Sequence, residues 1–464
     1  MTAKATSTNY KALQVNLESN MYGTFAEIGA GQEVARFFFQ AGGASQTIAK
    51  SMSAYDMTFS DAIYGREASG RYVCQSRLEK MLDYEFNLIN ERLRDKRGEN
   101  TRFFVLANTA ATKTHFSNND GHCWVGIIFQ AEPLGPTHKI VAHLRLIDNH
   151  ILAQQEAIGI FGVNLVHAAT YHFQGPFHLL DSLIDNLSNQ RIELNMIELS
   201  GELYKTIDNR LLNLELVKRG LTNAVMFDGD GTVVLAADEL YRKTVQVVRG
   251  SFRPPTKINL NMIECGRRNV AKDLKISVEK ITTICEITMH SLGNIDEENS
   301  DFLERVDLLA ALKQKVLISN FPQYYKLVNY FLDFKAEHLA LVLGGYNFKQ
   351  IFDNDYNQNT GGVFAALGQL FKENVRVYVY PYRDEAGQKL IDVENLEIPE
   401  RLKYLLTYLK ENSNLIGLKD YDDGLLHIYS RRVLNMISKN EVGWEEMVPK
   451  DVANVIKEKK FFVK

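Results

Sequence analysis

The sequence predicts an α/β protein with more than one domain, and three observations lead to this prediction. The chain has 464 residues, which is too long for one ordinary hydrophobic core. Its hydrophobic fraction of 45% and its charged fraction of 24% are typical of a globular protein. In the C-terminal half, short apolar runs alternate with helical patterns, which indicates a parallel sheet with helices on both faces.

The composition divides the chain into four expected segments. They are a flexible arm at residues 1–20, an α+β domain at 21–205, an α/β domain at 206–395 and a helical C-terminal segment at 396–464. Within the α+β domain, apolar spacing predicts helices at Gln32–Gln40, Ala44–Met52 and Arg77–Arg94. Strands at Arg102–Asn108, Cys123–Phe129 and Lys139–Ile147 should form an antiparallel meander.

The α/β domain should contain a Rossmann-like, mostly parallel sheet with helices on both faces. The predicted strands are Ala224–Phe227, Thr244–Arg249, Lys257–Cys265, Lys280–Met289, Val316–Ile318, Leu339–Leu343 and Val375–Tyr380. Helices are predicted between several of them, at Phe302–Leu312, Phe321–Phe334 and Gly362–Lys372.

The net charge and the cysteine spacing indicate which partners and which cellular compartment to expect. Net charge is −4 without a basic block, so we expect no nucleic-acid partner and no membrane partner. The four cysteines have no C-x-x-C spacing, which favours a reducing compartment. Residues 1–14 lack the apolar core of a secretory signal, and no apolar run reaches the ~18–20 residues of a membrane helix. We therefore expect a cytoplasmic protein.

A glycine-rich loop follows the first predicted strand, at Glu27-Ile28-Gly29-Ala30-Gly31. It resembles the start of the cofactor loop of S-adenosylmethionine-dependent methyltransferases, in which glycines let the backbone approach the cofactor. Here Glu33 replaces the third glycine of that loop. The alternative is a tight strand-to-helix turn, since a lone glycine-rich loop is a weak motif.

The run Asn223–Leu235 carries the strongest chemical motif, Asp228-Gly229-Asp230-Gly231-Thr232 after an apolar strand. It resembles the first motif of haloacid-dehalogenase-like phosphohydrolases. The resemblance implies that Asp228 attacks phosphorus, that Asp230 is the general acid and that both are ligands of Mg²⁺. A carboxylate at a strand end would be held rigidly for in-line attack.

Further motifs of that family match in part. Ser319, which ends the apolar strand Val316–Ile318, fits the second motif, and Lys326 fits the third-motif lysine. The fourth motif, an acidic completion of the metal site, is missing. The strand Leu339–Leu343 leads into two glycines, and the nearest acids are Asp353 and Asp355.

The alternative for Asn223–Leu235 is a β-hairpin. Strand-like residues flank an Asp-Gly-Asp-Gly link on both sides, and this composition is ordinary for a hairpin turn. The two interpretations differ in one geometric expectation. A phosphohydrolase needs Asp228 and Asp230 to face Ser319 across the ends of adjacent parallel strands.

Several other residues are candidates for anion or metal binding. Arg249 and Arg253 could hold an anion between them, or they could be exposed arginines at the rim of a structural turn. Thr232 and Thr360 are further anion-binding candidates. The histidines at 115, 122 and 143, and those at 167, 172 and 178, lack the i, i+4 spacing of a metal motif. We expect them in the core or at interfaces.

Over nearly its full length the chain resembles a family of uncharacterised bacterial cytosolic proteins. The resemblance rests on Met21–Tyr64, Arg249–Pro254 and Val316–Asn320. Members often carry automated labels such as TonB-dependent receptor or nicotinate-nucleotide adenylyltransferase. A receptor would need a signal peptide and many alternating strands, and an adenylyltransferase would need a histidine-containing nucleotide motif. The resemblance therefore implies neither an activity nor site residues.

Two functional hypotheses follow from these patterns. In the first, the protein binds or hydrolyses a phosphorylated small molecule or nucleotide by Mg²⁺-dependent phosphoryl transfer, near Asp228, Asp230 and Ser319. In the second, it is a non-catalytic protein that self-assembles or binds a partner. Either form is expected to be a homo-oligomer.

Overall fold

The structure, a computed structural model, describes residues 6–113, 121–292, 298–353, 361–384 and 389–462. The chain divides into two compact units, Met1–Thr222 (unit 1) and Asn223–Lys464 (unit 2). Unit 1 contains a six-stranded sheet and unit 2 an eight-stranded sheet, so the predicted α/β class is confirmed. His115, Asp355 and Thr360, considered above as ligands or anion-binding residues, lie outside the described residues.

Unit 1 is a mixed sheet between two layers of helices. Its strands are β1 (Met21–Gly29), β2 (Ile48–Ser53), β3 (Arg102–Ala111), β4 (Gly121–Gln130), β5 (Thr137–Leu146) and β6 (Ile192–Gly201). Its helices are α1 (Thr8–Asn16), α2 (Glu33–Ala41), α3 (Met57–Tyr64), α4 (Gln75–Arg97), α5 (Ile151–Tyr171), α6 (Pro176–Leu183) and α7 (Asn209–Lys218).

The strand order in unit 1 is β2-β1-β3-β4-β5-β6. β2, β1 and β3 are parallel, whereas β3 to β6 pair antiparallel, as the predicted meander requires. The carboxyl ends of the three parallel strands therefore lie along one edge of the sheet. Parallel sheets in α/β proteins bind ligands at this edge.

The two faces of this sheet are covered by different helices. α4 packs against β1, β3 and β4 on one face. The other face packs against α1, α2, α5 and α6 and forms the larger hydrophobic core. Phe25 of β1 lies in that core, with its ring centroid 5.0 Å from that of Phe38 of α2. Because side chains alternate along a strand, Glu27 points to the same face as Phe25.

Residues 8–16 lie in the segment that was expected to be a flexible arm, and they form α1. Ala12 and Val15 of this helix are buried in the core. Lys11 is also buried, and its Nζ donates to the carbonyl oxygen of Ser182 at 2.9 Å. Its ion pair with Asp185 fixes α1 to the end of α6.

The helix predicted at Ala44–Met52 is wrong. Residues 44–46 form one 3₁₀ turn, and Ile48–Ser53 form β2, the edge strand of the sheet. β2 pairs parallel with β1, so the extended conformation of its residues depends on pairing with another segment of the chain. Local propensity alone could not reveal that partner, because paired residues such as Gly23 and Ile48 are far apart in the chain.

The described residues of unit 2 form ten strands, eight of them in one sheet. They are β7 (Ala224–Phe227), β8 (Val233–Val234), β9 (Thr244–Arg249), β10 (Ile281–Thr288), β11 (Lys315–Ser319), β12 (His338–Gly344), β13 (Val375–Tyr380), β14 (Tyr382–Arg383), β15 (Leu390–Ile391) and β16 (Leu415–Gly417). The helices are α8 (Ala236–Leu240), α9 (Lys257–Leu274), α10 (Glu298–Ala311), α11 (Tyr324–Asp333), α12 (Gly345–Gln350), α13 (Val363–Leu370), α14 (Lys403–Glu411), α15 (Ser430–Ser438) and α16 (Lys450–Lys459).

The eight-stranded sheet has the order β16-β13-β12-β9-β10-β11-β7-β8. Its six strands from β16 to β11 are parallel, and their order is that of a doubly wound sheet that starts at β9. α11, α13 and α14 pack on one face, and α9 contacts β9, β10 and β12 on the other. The predicted Rossmann-like sheet is confirmed.

The strand predicted at Lys257–Cys265 is wrong, because these residues begin helix α9. Thr256 and Asn259 form a capping box at its start. Met262, Cys265 and Val270 are buried at helical spacing. The branched and sulfur-containing residues of this stretch resembled a strand, and the cap was the signal that distinguishes a helix.

Across the part of the chain that the structure describes, every helix is too short or too polar to span a lipid bilayer.

Candidate functional site

A row of three polar side chains crosses the parallel part of the unit 1 sheet. Ser53 of β2 is paired with Glu27 of β1, and Glu27 is paired with Asn108 of β3. All three residues lie near the carboxyl ends of their strands. Glu27 is only 1% exposed and Asn108 is fully buried. Buried polar residues in the middle of an apolar sheet are unusual, so this row is the candidate site.

The loop above the row is the glycine-rich turn that connects β1 to α2. Gly29 has a φ of 85°, and a Cβ atom there would lie 2.1 Å from the carbonyl oxygen of Ala110. A Cβ atom on Gly31 would lie 1.8 Å from Oδ1 of Asn108. Both positions therefore need glycine, and the loop is the tight strand-to-helix turn given above as an alternative.

Gln32, the last residue before α2, fastens this turn to β2. Its Nε2 donates to the carbonyl oxygen of Gly29 at 2.5 Å and to Oγ of Ser53 at 3.0 Å. Helix α2 then begins at Glu33. The first turn of α2 is thus held over the ends of β1 and β2, with its backbone directed at the polar row.

Glu27 is an acid whose surroundings keep it protonated. Burial raises its pKa to about 8, and the nearby charge of Glu33 acts in the same direction, while the backbone N–H of Ala35 opposes them. Among the described residues, no group hydrogen-bonds to Glu27 Oε1. At neutral pH the side chain is therefore a neutral carboxyl group that can donate a proton.

Asn108 has the same lack of partners. Neither Oδ1 nor Nδ2 of its side chain makes a hydrogen bond within the described part of the chain. A buried polar group without a partner costs about 1–3 kcal/mol of folding free energy. Such groups in a folded protein call for a functional explanation. Here two of them are neighbours on adjacent strands.

A cleft of about 490 Å³ opens next to the row. It is lined by Glu27, Gln32, Ala35, Arg36, Phe39, Gln40, Ser51 and Ser53. Helix α2 supplies one wall and the edge strand β2 supplies the other. This volume lies within the ~300–1,000 Å³ of typical small-molecule sites.

The rim of the cleft carries one cation and one aromatic ring. Arg36 pairs with Glu33 one turn earlier in α2, with Nη1 3.1 Å from Oε2. Phe39 is 55% exposed although it is a large apolar side chain. An exposed ring at the rim of a cleft can stack on a planar ligand, and the guanidinium group can bind an anionic group.

The motif aspartates in unit 2 lie in a hairpin. β7 pairs antiparallel with β8, with Phe227 opposite Val233. A backbone hydrogen bond closes the turn: the N–H of Asp228 donates to the carbonyl oxygen of Thr232 at 2.8 Å. The side chain of Asp230 accepts from the backbone N–H and the hydroxyl of Thr232, at 2.9 and 2.6 Å. The hairpin alternative is therefore the one observed.

Asp228 and Ser319 are not brought together. β7 is antiparallel to β11, which places Ala224 opposite Ser319 and Phe227 opposite Val316. Asp228 is thus next to Lys315 at the opposite end of β11, about 13 Å from Ser319 at ~3.3 Å per residue. The expectation that the two carboxylates and the hydroxyl converge is wrong, because it assumed that β7 runs parallel to its neighbour.

The partners of Asp228 also argue against a metal at this position. Its Oδ1 accepts from Nζ of Lys315 at 2.5 Å and from the N–H of Gly229 at 2.7 Å. The Lys315 ammonium lowers the pKa of Asp228 and already supplies a positive charge to its carboxylate. In the described residues no group of three or more metal-binding side chains is present. The predicted Mg²⁺ ligands Asp228 and Asp230 do not fit a metal site.

The remaining predicted residues of unit 2 lie elsewhere. Oγ of buried Ser319 donates to Glu286 Oε1 at 2.6 Å. Arg249 forms a buried ion pair with Glu286, and Arg253 Nε lies 2.6 Å from Asp301. Lys326 is exposed on α11. The two arginines predicted to hold an anion thus neutralise carboxylates of the protein itself.

The histidines near β4 and β5 form a hydrogen-bonded chain. His143 Nδ1 lies 2.6 Å from Asn195 Oδ1, and its Nε2 lies 3.2 Å from His122 Nδ1. Burial lowers the pKa of His143 to about 3. His143 and His167 are buried, as expected for histidines of the core.

Sequence reasoning located the glycine loop but missed the residues beside it. Glu27 was noted only as the start of that loop, although an acid between Ala26 and Ile28 in an apolar strand signals a buried carboxyl group. Asn108 ends a run of apolar residues in the same way. Ser53 follows the predicted helix Ala44–Met52, so the sequence pattern did not place it at the end of a strand.

No protein-family model and no curated protein matches this sequence. Solved structures show a weak and partial similarity. The competence/damage-inducible protein CihA from Agrobacterium tumefaciens is 14% identical, with 36% of this chain and 98% of that chain covered and a TM-score of 0.26. A CinA superfamily protein from Klebsiella pneumoniae is 9% identical, with 36% and 99% covered and a TM-score of 0.27. One from Escherichia coli is 12% identical, with 38% and 87% covered and a TM-score of 0.24. This similarity concerns part of the fold and carries no argument about activity.

Proposed function

We propose that unit 1 binds a phosphorylated small molecule of about nucleotide size in the α2–β2 cleft, and that Glu27 exchanges a proton with it. The observation that carries this proposal is the row Ser53–Glu27–Asn108, which lies at the carboxyl edge of parallel strands with two of its members buried and incompletely hydrogen-bonded. Ligand sites in parallel α/β sheets lie at this edge.

The chemistry of Glu27 supports a role as general acid and base. A carboxyl group that is protonated near neutral pH can donate a proton to a leaving group. The oxygen of a water molecule forms its bond to phosphorus as the ester bond breaks, and the Glu27 carboxylate then regains a proton from the product phosphate, which carries both protons of that water. These two transfers return Glu27 to its starting state, so a hydrolysis would need no other proton carrier.

The features around Glu27 support a ligand with an anionic group and a planar part. Arg36 lines the cleft, and its guanidinium group can bind a phosphate. Phe39 offers a surface for a ring. This proposal moves the predicted phosphorylated ligand from the hairpin of unit 2 to the cleft of unit 1.

The test uses a panel of nucleoside monophosphates and sugar phosphates with the full-length protein. Ligand-observed ¹H NMR measures binding, and ³¹P NMR measures turnover, with and without Mg²⁺. For a compound that is turned over, Glu27→Gln should keep binding and lower the rate by about 10²–10⁴-fold. Glu79→Gln, which changes a carboxylate on α4, is the matched control. Equal rates for Glu27→Gln and the wild type, or no binder in the panel, would refute the proposal.

Self-association is the second proposal, and a separate observation favours it. Tyr55, Met57 and Phe59 follow the edge strand β2, and each is more than half exposed, Tyr55 to 81%. Exposed apolar clusters beside an unpaired strand edge are typical of protein interfaces. Light scattering after size exclusion should give a dimer or larger species, and Tyr55→Ser with Phe59→Ser should shift it toward the monomer. A monomeric wild type would rule this proposal out.

A further inference from the structure

The strongest unexplained feature of the candidate site is the side chain of Asn108. It is fully buried, yet it does not belong to the lining of the cleft. Its neighbour across the sheet is Glu27, and the two residues are direct partners in the parallel pairing of β1 with β3. Residues paired in this way project their side chains to the same face of the sheet.

The hydrogen-bonding groups of the two residues are complementary. Glu27 Oε1 accepts no hydrogen bond from any described group, and Asn108 Nδ2 donates none to any described group. When Glu27 loses its proton, Oε1 becomes a charged acceptor inside the protein. A hydrogen bond to a charged acceptor is about twice as strong as one between neutral groups. The ionised form of Glu27 therefore gains more from Asn108 than the neutral form does.

The glycine loop makes room for the amide. A Cβ atom at position 31 would lie 1.8 Å from Asn108 Oδ1 and 2.4 Å from Nδ2. Any side chain there would take the place of the amide group. Gly31 is thus required for Asn108 to lie beside β1, independently of the backbone turn that Gly29 makes.

We infer that Asn108 is a positioning residue for Glu27, in that its amide donates a hydrogen bond to the Glu27 carboxylate each time the proton leaves, with Gly31 keeping the space open. This inference rests on the proposed acid–base function of Glu27 and adds a residue to it. Asn108 stabilises the form of Glu27 that must accept a proton back. Its amide acts on the acid and not on the ligand.

The other groups close to Glu27 define what the test must hold constant. α2 presents Glu33 and Arg36, which form an ion pair with each other. β2 presents Ser53, and β3 presents Asn108, neither of which is charged. Substitutions at Asn108 therefore leave the neighbouring charges unchanged, so a change in the titration of Glu27 reports on the amide.

The experiment measures the titration of Glu27 directly. Full-length protein labelled with ¹³C at the glutamate side-chain carboxyl is titrated from pH 5 to 10 by NMR, and Glu27→Gln identifies the Glu27 signal. We expect a pKa of about 8 for Glu27 in the wild type. In Asn108→Leu, which keeps the volume of the side chain, the pKa of Glu27 should be higher by about one unit. Gly31→Ala, which displaces the amide, should move the pKa in the same direction.

A matched control separates the inference from general damage. Asn164 is also fully buried in unit 1, and its Nδ2 donates to the carbonyl oxygens of Leu183 and Asp185 at 3.0 and 2.8 Å. Asn164→Leu should lower stability and leave the Glu27 titration where it is. If Asn108→Leu does not fold, Asn108→Ala and Gly31→Ala provide the same measurement.

The outcomes distinguish this inference from the proposed function. A pKa for Glu27 in Asn108→Leu that is equal to or below the wild-type value overturns the inference and leaves the acid–base role of Glu27 intact. A raised pKa supports it, whether or not the nucleotide panel yields a binder, because the titration needs no ligand. With a substrate in hand, the alkaline limb of the pH–rate profile should move with the same shift.

Discussion

The cleft of unit 1 and the Asp-Gly hairpin of unit 2 both place acidic side chains at the end of a β-strand, but they leave them in opposite states. Asp228 and Asp230 accept hydrogen bonds from Lys315, Gly229 and Thr232. Glu27 is buried with an oxygen that has no described partner. A motif identifies residue types, whereas reactivity depends on which buried polar groups the fold leaves without a hydrogen-bond partner.

The largest expected effect contrasts two buried carboxyl groups. Glu286 of unit 2 is ion-paired with Arg249, so Glu286→Gln removes the carboxylate that neutralises this guanidinium group and should lower the stability of unit 2 by ~3–5 kcal/mol. Glu27→Gln should leave unit 1 unchanged or more stable, because Glu27 is already neutral there at pH 7.

The two tryptophans allow this measurement for each unit by itself. Trp124 lies in unit 1 and Trp444 in unit 2. Urea unfolding followed by fluorescence of Trp444→Phe reports unit 1, and that of Trp124→Phe reports unit 2. If Glu27→Gln destabilises unit 1 as much as Glu286→Gln destabilises unit 2, Glu27 is a paired structural carboxylate and the contrast fails.

The pH dependence of stability should have opposite signs in the two regions. Because the pKa of Glu27 is raised from 4.5 to about 8, only the unfolded chain ionises this group between these values. Its contribution to stability is therefore complete below pH 4.5 and is lost as pH rises to about 8, by at most ~1.4 kcal/mol per pH unit. The lowered pKa of Asp228 gives stability that is present above pH 3.8 and is lost in more acidic solution.

Urea unfolding of unit 1 at a series of pH values checks this prediction. The wild type should lose stability between pH 5 and 8 relative to Glu27→Gln, and the two curves should run parallel above pH 9. Parallel curves across the whole range would mean that Glu27 titrates normally.

An intermediate effect is expected for the glycine that the amide of Asn108 approaches. Gly31→Ala introduces a Cβ atom into occupied space and should destabilise unit 1 by ~1–3 kcal/mol. Gly368→Ala in α13 meets open space and should be neutral or stabilise unit 2 by ~0.5–1 kcal/mol, since alanine favours a helix. Thermal unfolding of the single-tryptophan proteins measures both, and a neutral Gly31→Ala would contradict the close packing.

The smallest expected effect is that of the motif aspartate. Asp228 is 42% exposed, and exposed ion pairs contribute ~0–1 kcal/mol, so Asp228→Asn should change the stability of unit 2 by less than ~1 kcal/mol. Turnover of any substrate by unit 1 should not depend on it. A rate loss of 100-fold in Asp228→Asn, with Glu27→Gln fully active, would reverse the comparison and restore the phosphohydrolase hypothesis.

Sequence patterns were sufficient where a residue's neighbours in the chain determine its structure. The Rossmann-like sheet, the meander and helices α2 and α4 follow from apolar periodicity. Patterns failed where a distant partner decides. β2 is a strand because β1 lies beside it, and β7 pairs antiparallel with β11, a strand that comes much later in the chain.

The candidate site shows the same limit. The glycine loop is visible in the sequence, but the row it covers joins residues from three strands that are far apart in the chain, Glu27, Ser53 and Asn108. Which polar atoms lack partners is a property of the folded packing. Spacing along a single chain carries no information about it.

The hairpin that ends the eight-stranded sheet has a protective consequence. β7 covers the outer edge of β11, and β8, the last strand, is only two residues long. Its charged turn and short length leave little backbone for another chain to extend, which discourages edge-to-edge aggregation. The hairpin that contains Asp228 and Asp230 thus protects the edge of the sheet against pairing with another chain.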